Sequence, residues 1–539
     1  MFSGWRLRML AFYLSAASSS LSTLNFESFP VDPQLLPLIA SDELLKRTTS
    51  RCPVCHAPCP AEVWRTGARP AKVFLKRVCP QHGEASVCIA SDARFYWLAQ
   101  GNPANSEGCC NGSRSTNGHA CCASDGSVAG TLGRNALAVG EAPFETLSTC
   151  LALIEIVRSC NLACPTCYAD SPVGTGANVD AVPLDELKQR IQGVIDRKGS
   201  IEILQLSGGE PTLHPQFFEL LEWAHAHESI DYLLLNTNGV RLANEPDFTA
   251  RLGRVFARGG LQLYLQFDGV QEPGQRELRG ADLRVTRLRA VERCAEVNLP
   301  ITLAMTVTPE NLPHLWEAIE FGLKFPHIHG VTFQPVFGSG RIPTKMNVKR
   351  GMRNAESTNA SSPALRAPSP PSDGGEGRGE EEPCFLSAPA RLNTADILLA
   401  AVGQSQGRLR FDDFTPLPCG DPNCATIGYL IRHGGRTHSI SDFIDFRKLQ
   451  GFLQDKIHYT VEDLARCGCE NEPLGELLKT LELKASKTFR LMVKPFMDAW
   501  TWDQDRIDRC CTHVIRPDGQ LDSFCRYYSG FSDCNSSTP

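Results

Sequence analysis

The sequence predicts an α/β protein whose centre is a set of parallel β/α units. Three observations predict it. Between residues 151 and 336 six short apolar runs recur: LALIEIV, IEILQLS, YLLLNTNG, LQLYLQF, ITLAMTV and GVTFQPV. Helix-like segments separate them, the alternation that βαβ units produce. The runs are apolar throughout rather than at every second residue, as strands buried on both faces are. A partial or full barrel fits this pattern, and a doubly wound sheet also satisfies it.

Taken in order, residues 1–45 form an N-terminal extension with little pattern. Its start, MFSGWRLRMLAFYLSAASSSL, mildly resembles a signal peptide, with two arginines, an apolar run and small residues. A ragged start before the folded region is the preferred reading. Residues 50–100 form a compact cysteine-rich module of short strand-like pieces, as in metal-clamped folds. Residues 101–149 lack apolar periodicity and read as a connector, with Cys-Cys pairs at 109–110 and 121–122. Residues 150–345 hold the β/α units. There LDELKQRIQGVID sets Leu184, Leu187, Ile191 and Ile195 on one helical face. PQFFELLEWAHAH and LPHLWEAIEFGLKF behave likewise. Residues 346–390, with SSPALRAPSPPSDGGEGRGEEEP, are too rich in Pro, Gly, Ser and Glu to bury a core and read as a disordered insertion. Residues 391–539 resume an ordered pattern with scattered cysteines.

At 539 residues, 42% hydrophobic and 21% charged, the chain can bury a sizeable core. A net charge of −6 gives no sign of a polyanion-binding surface, so no nucleic-acid partner is expected. The outlier is cysteine, at 23 residues. A secreted chain would pair them, and a reduced one would spend them on metals or clusters. No run of 18 uncharged apolar residues occurs, so no transmembrane helix is expected.

The chemistry concentrates in RSCNLACPTCYADSP. Cys160, Cys164 and Cys167 follow the first strand directly. In parallel β/α folds that loop lies where active sites gather. Thiolates there can hold an iron–sulfur cluster. Three ligands to a four-iron cubane leave one iron open, as a substrate-binding site requires. The second strand ends in LSGGEP, the third in NTNG and the fourth in QFDG. Glycines in the second let the backbone approach a ligand.

C-x3-C-x2-C after the first strand, followed by Gly-Gly-Glu-Pro at the second, resembles the radical S-adenosylmethionine (SAM) superfamily. The resemblance implies a partial (β/α)6 barrel. It also implies that the open iron of a [4Fe–4S] cluster chelates SAM, and that a 5′-deoxyadenosyl radical then attacks an unactivated C–H bond. It assigns Gly208, Gly209 and Glu210 to the SAM amino group, with Asn238, Gln266, Asp268 and Thr306 as further SAM contacts. An electron donor of the reductase, ferredoxin or flavodoxin type is implied, and the oxygen-sensitive cluster places the enzyme in the cytoplasm. One departure matters. Thr166 stands before the third cysteine and the aromatic Tyr168 follows it. With CPVC…CPQHG before the barrel and DRCCTHVIRPDGQLDSFCRYY after it, this resembles the branch of archaeal tetraether lipid synthases and methanopterin-pathway pterin dimethyltransferases. The substrate is then a lipid chain or a pterin-like small molecule, and peripheral contact with a membrane stays open.

Cys52, Cys55 and Cys79 suit zinc or mononuclear iron about equally, with His82, Cys59 or Cys88 as the fourth ligand. Cys419, Cys424, Cys510, Cys511 and Cys525 are expected to hold one or more auxiliary [4Fe–4S] clusters, with Cys467 and Cys469 in reserve. Met, Phe and Trp residues in MVKPFMDAWTWDQDRID read as core packing. A peptide-modifying maturase and a zinc-binding adaptor without catalysis are the rival readings.

Overall fold

The computed structural model describes residues 41–98, 149–342, 386–387, 391–417, 420–433, 435–442 and 488–530. Nearly all of the expected connector and of the expected insertion lie outside them. Strands β1 (Glu43–Arg51), β2 (Pro58–Arg65), β3 (Val73–Cys79) and β4 (Gly83–Ala90) form an antiparallel sheet in chain order. The module thus begins inside the segment expected to be an extension. Val63, Val73, Leu75 and Val87 alternate inward and are fully buried, the period-two pattern of a sheet with one wet face.

The six apolar runs are six parallel strands: β5 (Leu151–Val157), β6 (Ile201–Gly208), β7 (Ile230–Thr237), β8 (Leu261–Gln266), β9 (Ile301–Val307) and β10 (Ile328–Pro335). They neighbour one another in chain order, as right-handed β/α crossovers demand. This is the partial barrel the sequence predicted. Helix α1 (Leu184–Lys198) follows β5 and buries Leu184, Leu187, Ile191 and Ile195. Asp185 and Glu186 in its first turn and Arg197 and Lys198 in its last suit the helix dipole. Helices α2 (Phe217–Ala226) and α3 (Leu315–Leu323) fall where their periodicity predicted them.

Among the described residues the C-terminal segments build no separate sheet. Leu386–Ser387 forms the short strand β11, beside β4. Strands β12 (Phe414–Pro416), β13 (Thr426–His433) and β14 (Arg436–Ser439) precede β15 (Thr488–Val493), which joins β10 in parallel. At the opposite edge β16 (Thr512–Ile515) joins β5 in parallel and pairs with β17 (Leu521–Ser523). Both open edges of the six-strand barrel are therefore covered, which removes rows of unpaired backbone groups. The two added strands approach each other, for Lys494 Nζ donates to Thr512 Oγ1 at 2.9 Å.

The N-terminal module docks on the segment preceding β16. Lys46 pairs with Asp503 at 2.7 Å, Thr48 donates to Asp503 at 2.9 Å, and Arg77 donates to the Trp500 carbonyl at 2.6 Å. The Trp500 ring completes the module's core beside Val63 and Leu75. Among the described residues no helix is long and apolar enough to cross a membrane.

Candidate active site and metal centres

The strand ends β5 to β10, closed by β15 and β16, surround one cavity. Cys160, Cys164 and Cys167 open onto it, as do Gly208, Gly209, Glu210, Asn238, Gln266 and Thr306. Nine of the ten residues singled out around the barrel thus share one space. Asp268 is the exception.

The cysteine loop is held from three sides. The Cys167 N–H donates to the Arg341 carbonyl at 2.9 Å and its carbonyl accepts from Arg341 N–H at 2.9 Å. Arg341 also donates to the carbonyls of Cys164 at 3.1 Å and Ser171 at 2.7 Å. Asn238 donates to Asn161 at 2.7 Å and lies 3.7 Å from Cys160 Sγ. Burial pushes the Cys160 thiol up to about 12. It also raises Cys164, although the Arg279 guanidinium pulls against the shift. Free thiols packed this way would stay protonated, and metal ligation would remove that cost by making them thiolates. The three do not form a tight donor knot, which among the described residues occurs only in the N-terminal module. Such a spread suits ligands to different irons of a cluster.

Two glycines have a reason the sequence reading did not supply. It gave them to the approach of a ligand. In the structure they meet the backbone of the cysteine loop. A Cβ on Gly208, whose φ is +124°, would lie 2.0 Å from the Val157 carbonyl oxygen, and one on Gly209 would lie 2.0 Å from that of Ser159. The close approach lets Gly209 N–H donate to Val157 at 2.9 Å and Glu210 N–H to Ser159 at 3.1 Å. Glu210 is buried, and its carboxylate accepts from Thr212 Oγ1 at 2.7 Å, Thr237 Oγ1 at 2.8 Å and Asn238 N–H at 2.8 Å. It ties the ends of β6 and β7 together beneath the cavity.

Asp268 is placed differently from the other nine. The resemblance made it a SAM contact, but it lies fully buried away from the cavity lining. Its carboxylate binds Arg279 at 2.7 Å and Arg287 at 3.3 Å. Burial opposes its charge, yet these guanidinium groups hold its carboxyl below the ordinary value. Arg279 does line the cavity. It donates to Thr306 Oγ1 at 2.9 Å and to the Thr166 carbonyl at 3.2 Å. The Gln266 amide, oriented with its oxygen inward, accepts from it at 2.7 Å. Gln266, Asp268 and Thr306 thus converge on one cation that sequence reading missed. The signal available was an aspartate at a strand end, which burial obliges to find a partner.

In the N-terminal module the donor atoms of Cys52, Cys55, Cys79 and His82 all lie within 4.8 Å of one another. Cys52 Sγ to His82 Nδ1 is 3.7 Å, Cys55 to Cys79 is 3.8 Å, and Cys79 to His82 is 3.6 Å. A tetrahedral zinc with bonds near 2.3 Å has edges of about 3.8 Å, so the donor set fits that ion. Burial would raise the Cys79 thiol, but the hydrogen bonds of His82 and neighbouring N–H groups hold it down at about 6. The fourth ligand is therefore His82. Cys59 is buried beside Cys52 and Cys79 without joining the four, and Cys88 pairs opposite Phe74 in the sheet.

Cys510 lies near enough to feel the charge of Cys511, Cys424 and Cys525, and Arg506 stands against Cys424 and Cys525. Burial and the other three thiols push Cys510 far up, and burial takes Cys525 to about 11. Four of the five cysteines expected to hold an auxiliary cluster are thus neighbours. Cys419, Cys467 and Cys469 lie outside the described residues. His513 is a brace: its ring nitrogens meet Thr149 Oγ1 at 3.0 Å and the Cys510 carbonyl at 2.8 Å. Arg526 pairs with Asp522 at 2.6 Å. Of the segment expected to be core, Trp500 and Trp502 are buried, whereas Met492 and Phe496 line the cavity.

A parallel partial barrel with three cysteines at its rim and a four-donor ribbon before it defines a radical SAM enzyme. Residues 154–322 match the radical SAM superfamily, and residues 44–91 match the HMPTM N-terminal zinc ribbon domain. The chain is similar to 7,8-dihydro-6-hydroxymethylpterin dimethyltransferase of Methanocaldococcus jannaschii. The identity is 23% over 540 residues, covering 89% of this chain and 93% of that one. It is also similar to mycofactocin maturase MftC of Mycobacterium ulcerans, at 28% over 164 residues, 30% of this chain and 41% of that one. A third likeness, to GTP 3′,8-cyclase of Helicobacter pylori, is 23% over 177 residues, 32% and 52% respectively. The chain thus spans about half or less of the last two relatives.

Proposed function

We propose that this radical SAM enzyme methylates a carbon of a pterin-like heterocycle. The observation that carries the choice of substrate is the inner wall of the barrel. Gln205, Asn236, Gln262, Tyr264 and Gln334 all face the cavity. Gln262 donates to Thr302 at 2.7 Å and Gln334 to Tyr264 at 2.8 Å, which fixes each amide and leaves further donor and acceptor capacity facing inward. A fused ring with alternating donors and acceptors on its edge would satisfy such a wall. An alkyl chain would leave buried amides short of partners, at about 1–3 kcal/mol each. The likeness to the pterin dimethyltransferase along nearly its whole length supports the same reading. Neither the lipid nor the adaptor alternative has comparable support.

Cys160, Cys164 and Cys167 would hold the cluster, which when bound supplies the electron that cleaves SAM and so starts hydrogen abstraction. The chain's own residues orient and enclose. Arg341 and Asn238 fix the cysteine loop. Arg279, held by Asp268, sets a positive charge against Cys164 and so favours the anionic, ligated state. Glu210 locks the strand ends that form the floor. Phe337, Phe496 and Phe524 line the cavity, Phe496 stacked on Phe524 at 4.2 Å and tilted against Phe337 at 5.3 Å, an apolar wall that excludes water from a reactive intermediate. A substrate and a one-electron donor are required by this chemistry. The test is anaerobic reconstitution with a strong reductant, 6-hydroxymethyl-7,8-dihydropterin and excess SAM. Per methyl group, one SAM leaves as methionine and 5′-deoxyadenosine, a second gives its methyl and leaves as S-adenosylhomocysteine, and the reductant supplies two electrons. Mass gain by one or two methyl groups together with 5′-deoxyadenosine supports the reading. Deoxyadenosine formed without any pterin product would sink the substrate assignment.

A further inference from the structure

The wall made by β15 differs from the rest of the cavity in charge. Lys494 lines it at the level of the strand ends, since its N–H donates to the Phe333 carbonyl at 2.9 Å. Its ammonium donates to the Thr512 hydroxyl and stands 5.8 Å from the centre of the Phe496 ring. No carboxylate pairs with it among the described residues. The lining holds one carboxylate, Glu210, whose oxygens are already committed to Thr212, Thr237 and Asn238. Arg279 is already paired with Asp268, a carboxylate it shares with Arg287. Arg490 faces the same cavity, four residues earlier and so about 13 Å deeper along the strand. A half-buried ammonium whose partner is a neutral hydroxyl is costly unless an anion completes it.

We propose that Lys494 and Thr512 form an anion subsite, which takes a phosphate ester or carboxylate carried by the substrate beside its ring. The ring itself rests on the pterin reading above. Threonine hydroxyl and ammonium together match such an oxyanion: the hydroxyl can turn its proton outward while the lysine supplies charge. The nearby Cys525 also feels the lysine's charge, so the alternative duty, balancing an auxiliary cluster, must be separable by experiment.

The experiment is equilibrium binding to the reconstituted full-length protein with SAM present, read by pterin fluorescence. The probes are 6-hydroxymethylpterin, its phosphate ester and 6-carboxypterin. At least one anionic probe should bind about tenfold more tightly than the alcohol, and Lys494→Met should erase that preference while Lys494→Arg keeps it. Preference for the ester or the carboxylate identifies the source of the charge. Equal binding of all three probes overturns the proposal, as does a preference that survives Lys494→Met. Loss of iron and sulfide from Lys494→Met, with the preference of the remaining holoprotein intact, assigns the lysine to the auxiliary site and also overturns it. If no pterin binds, the pterin reading fails. Calorimetry with inorganic phosphate and pyrophosphate then decides the subsite: Lys494-dependent binding upholds it, and none refutes it.

Discussion

The ribbon and the barrel each gather thiols near the end of a strand, and they do so in opposite ways. In the ribbon, Cys52, Cys55, Cys79 and His82 close on one point, and none of them lines the barrel cavity. Every direction around an ion there is taken by protein. In the barrel, Cys160, Cys164 and Cys167 sit along a cavity rim with no fourth donor among them, and Arg279 rather than a ligand stands behind Cys164. A closed donor set stabilises a fold, and an open one leaves a position for chemistry. The difference teaches that in this chain cysteine count and geometry separate the structural centre from the reactive one.

The largest effect that could break this contrast comes from Cys164→Ala. It should reduce deoxyadenosine formation to background while zinc in the ribbon stays near one equivalent. Retained cleavage would show that the open site lies elsewhere. Next, Cys79→Ser should remove the ribbon's metal and much of the roughly 10 kcal/mol that a structural zinc can contribute to its own domain. Hydrogen exchange over 43–90 would rise, and unchanged protection would mean that docking on Trp500, rather than metal, holds the ribbon.

Asp268→Asn should cost about 3–5 kcal/mol, because it strands two buried guanidinium groups. Denaturant unfolding of the barrel checks it. The wild-type contribution has a defined pH sense. The folded carboxyl lies below its ordinary value of 3.8, so its stabilisation is complete above that value and is lost as the pH falls through the folded one. The smallest effect is expected from Asp503→Ala. This residue pairs with Lys46 and caps the short helix Gln504–Asp508, and its loss should cost about 1–2 kcal/mol. If it also lowers the iron content of the reconstituted protein, the ribbon supports a cluster site through its docking surface. If iron is unchanged, the two are independent.

Much of the site was legible because it is written in contiguous motifs. Strand, cysteine loop and glycine turn follow one another within each β/α unit, so periodicity placed them at a common edge of the sheet. Arg279 was not legible. It lies in GQRELRG, a polar stretch that reads as surface, and only its approach to Asp268 reveals a buried cation. Lys494 and Thr512 were missed for the same reason, since the two come from strands at opposite edges of the sheet.

By itself, the sequence determined the parallel β/α core, the open trio of cysteines and the cysteine-rich modules on either side. Local periodicity and short-range spacing suffice for these. Tertiary structure alone decided which donor completes the ribbon, how β15 and β16 cover the barrel's edges, and which charges face the substrate. These depend on contacts between residues hundreds of positions apart, as with Lys46 and Asp503, and no local pattern encodes such a distance.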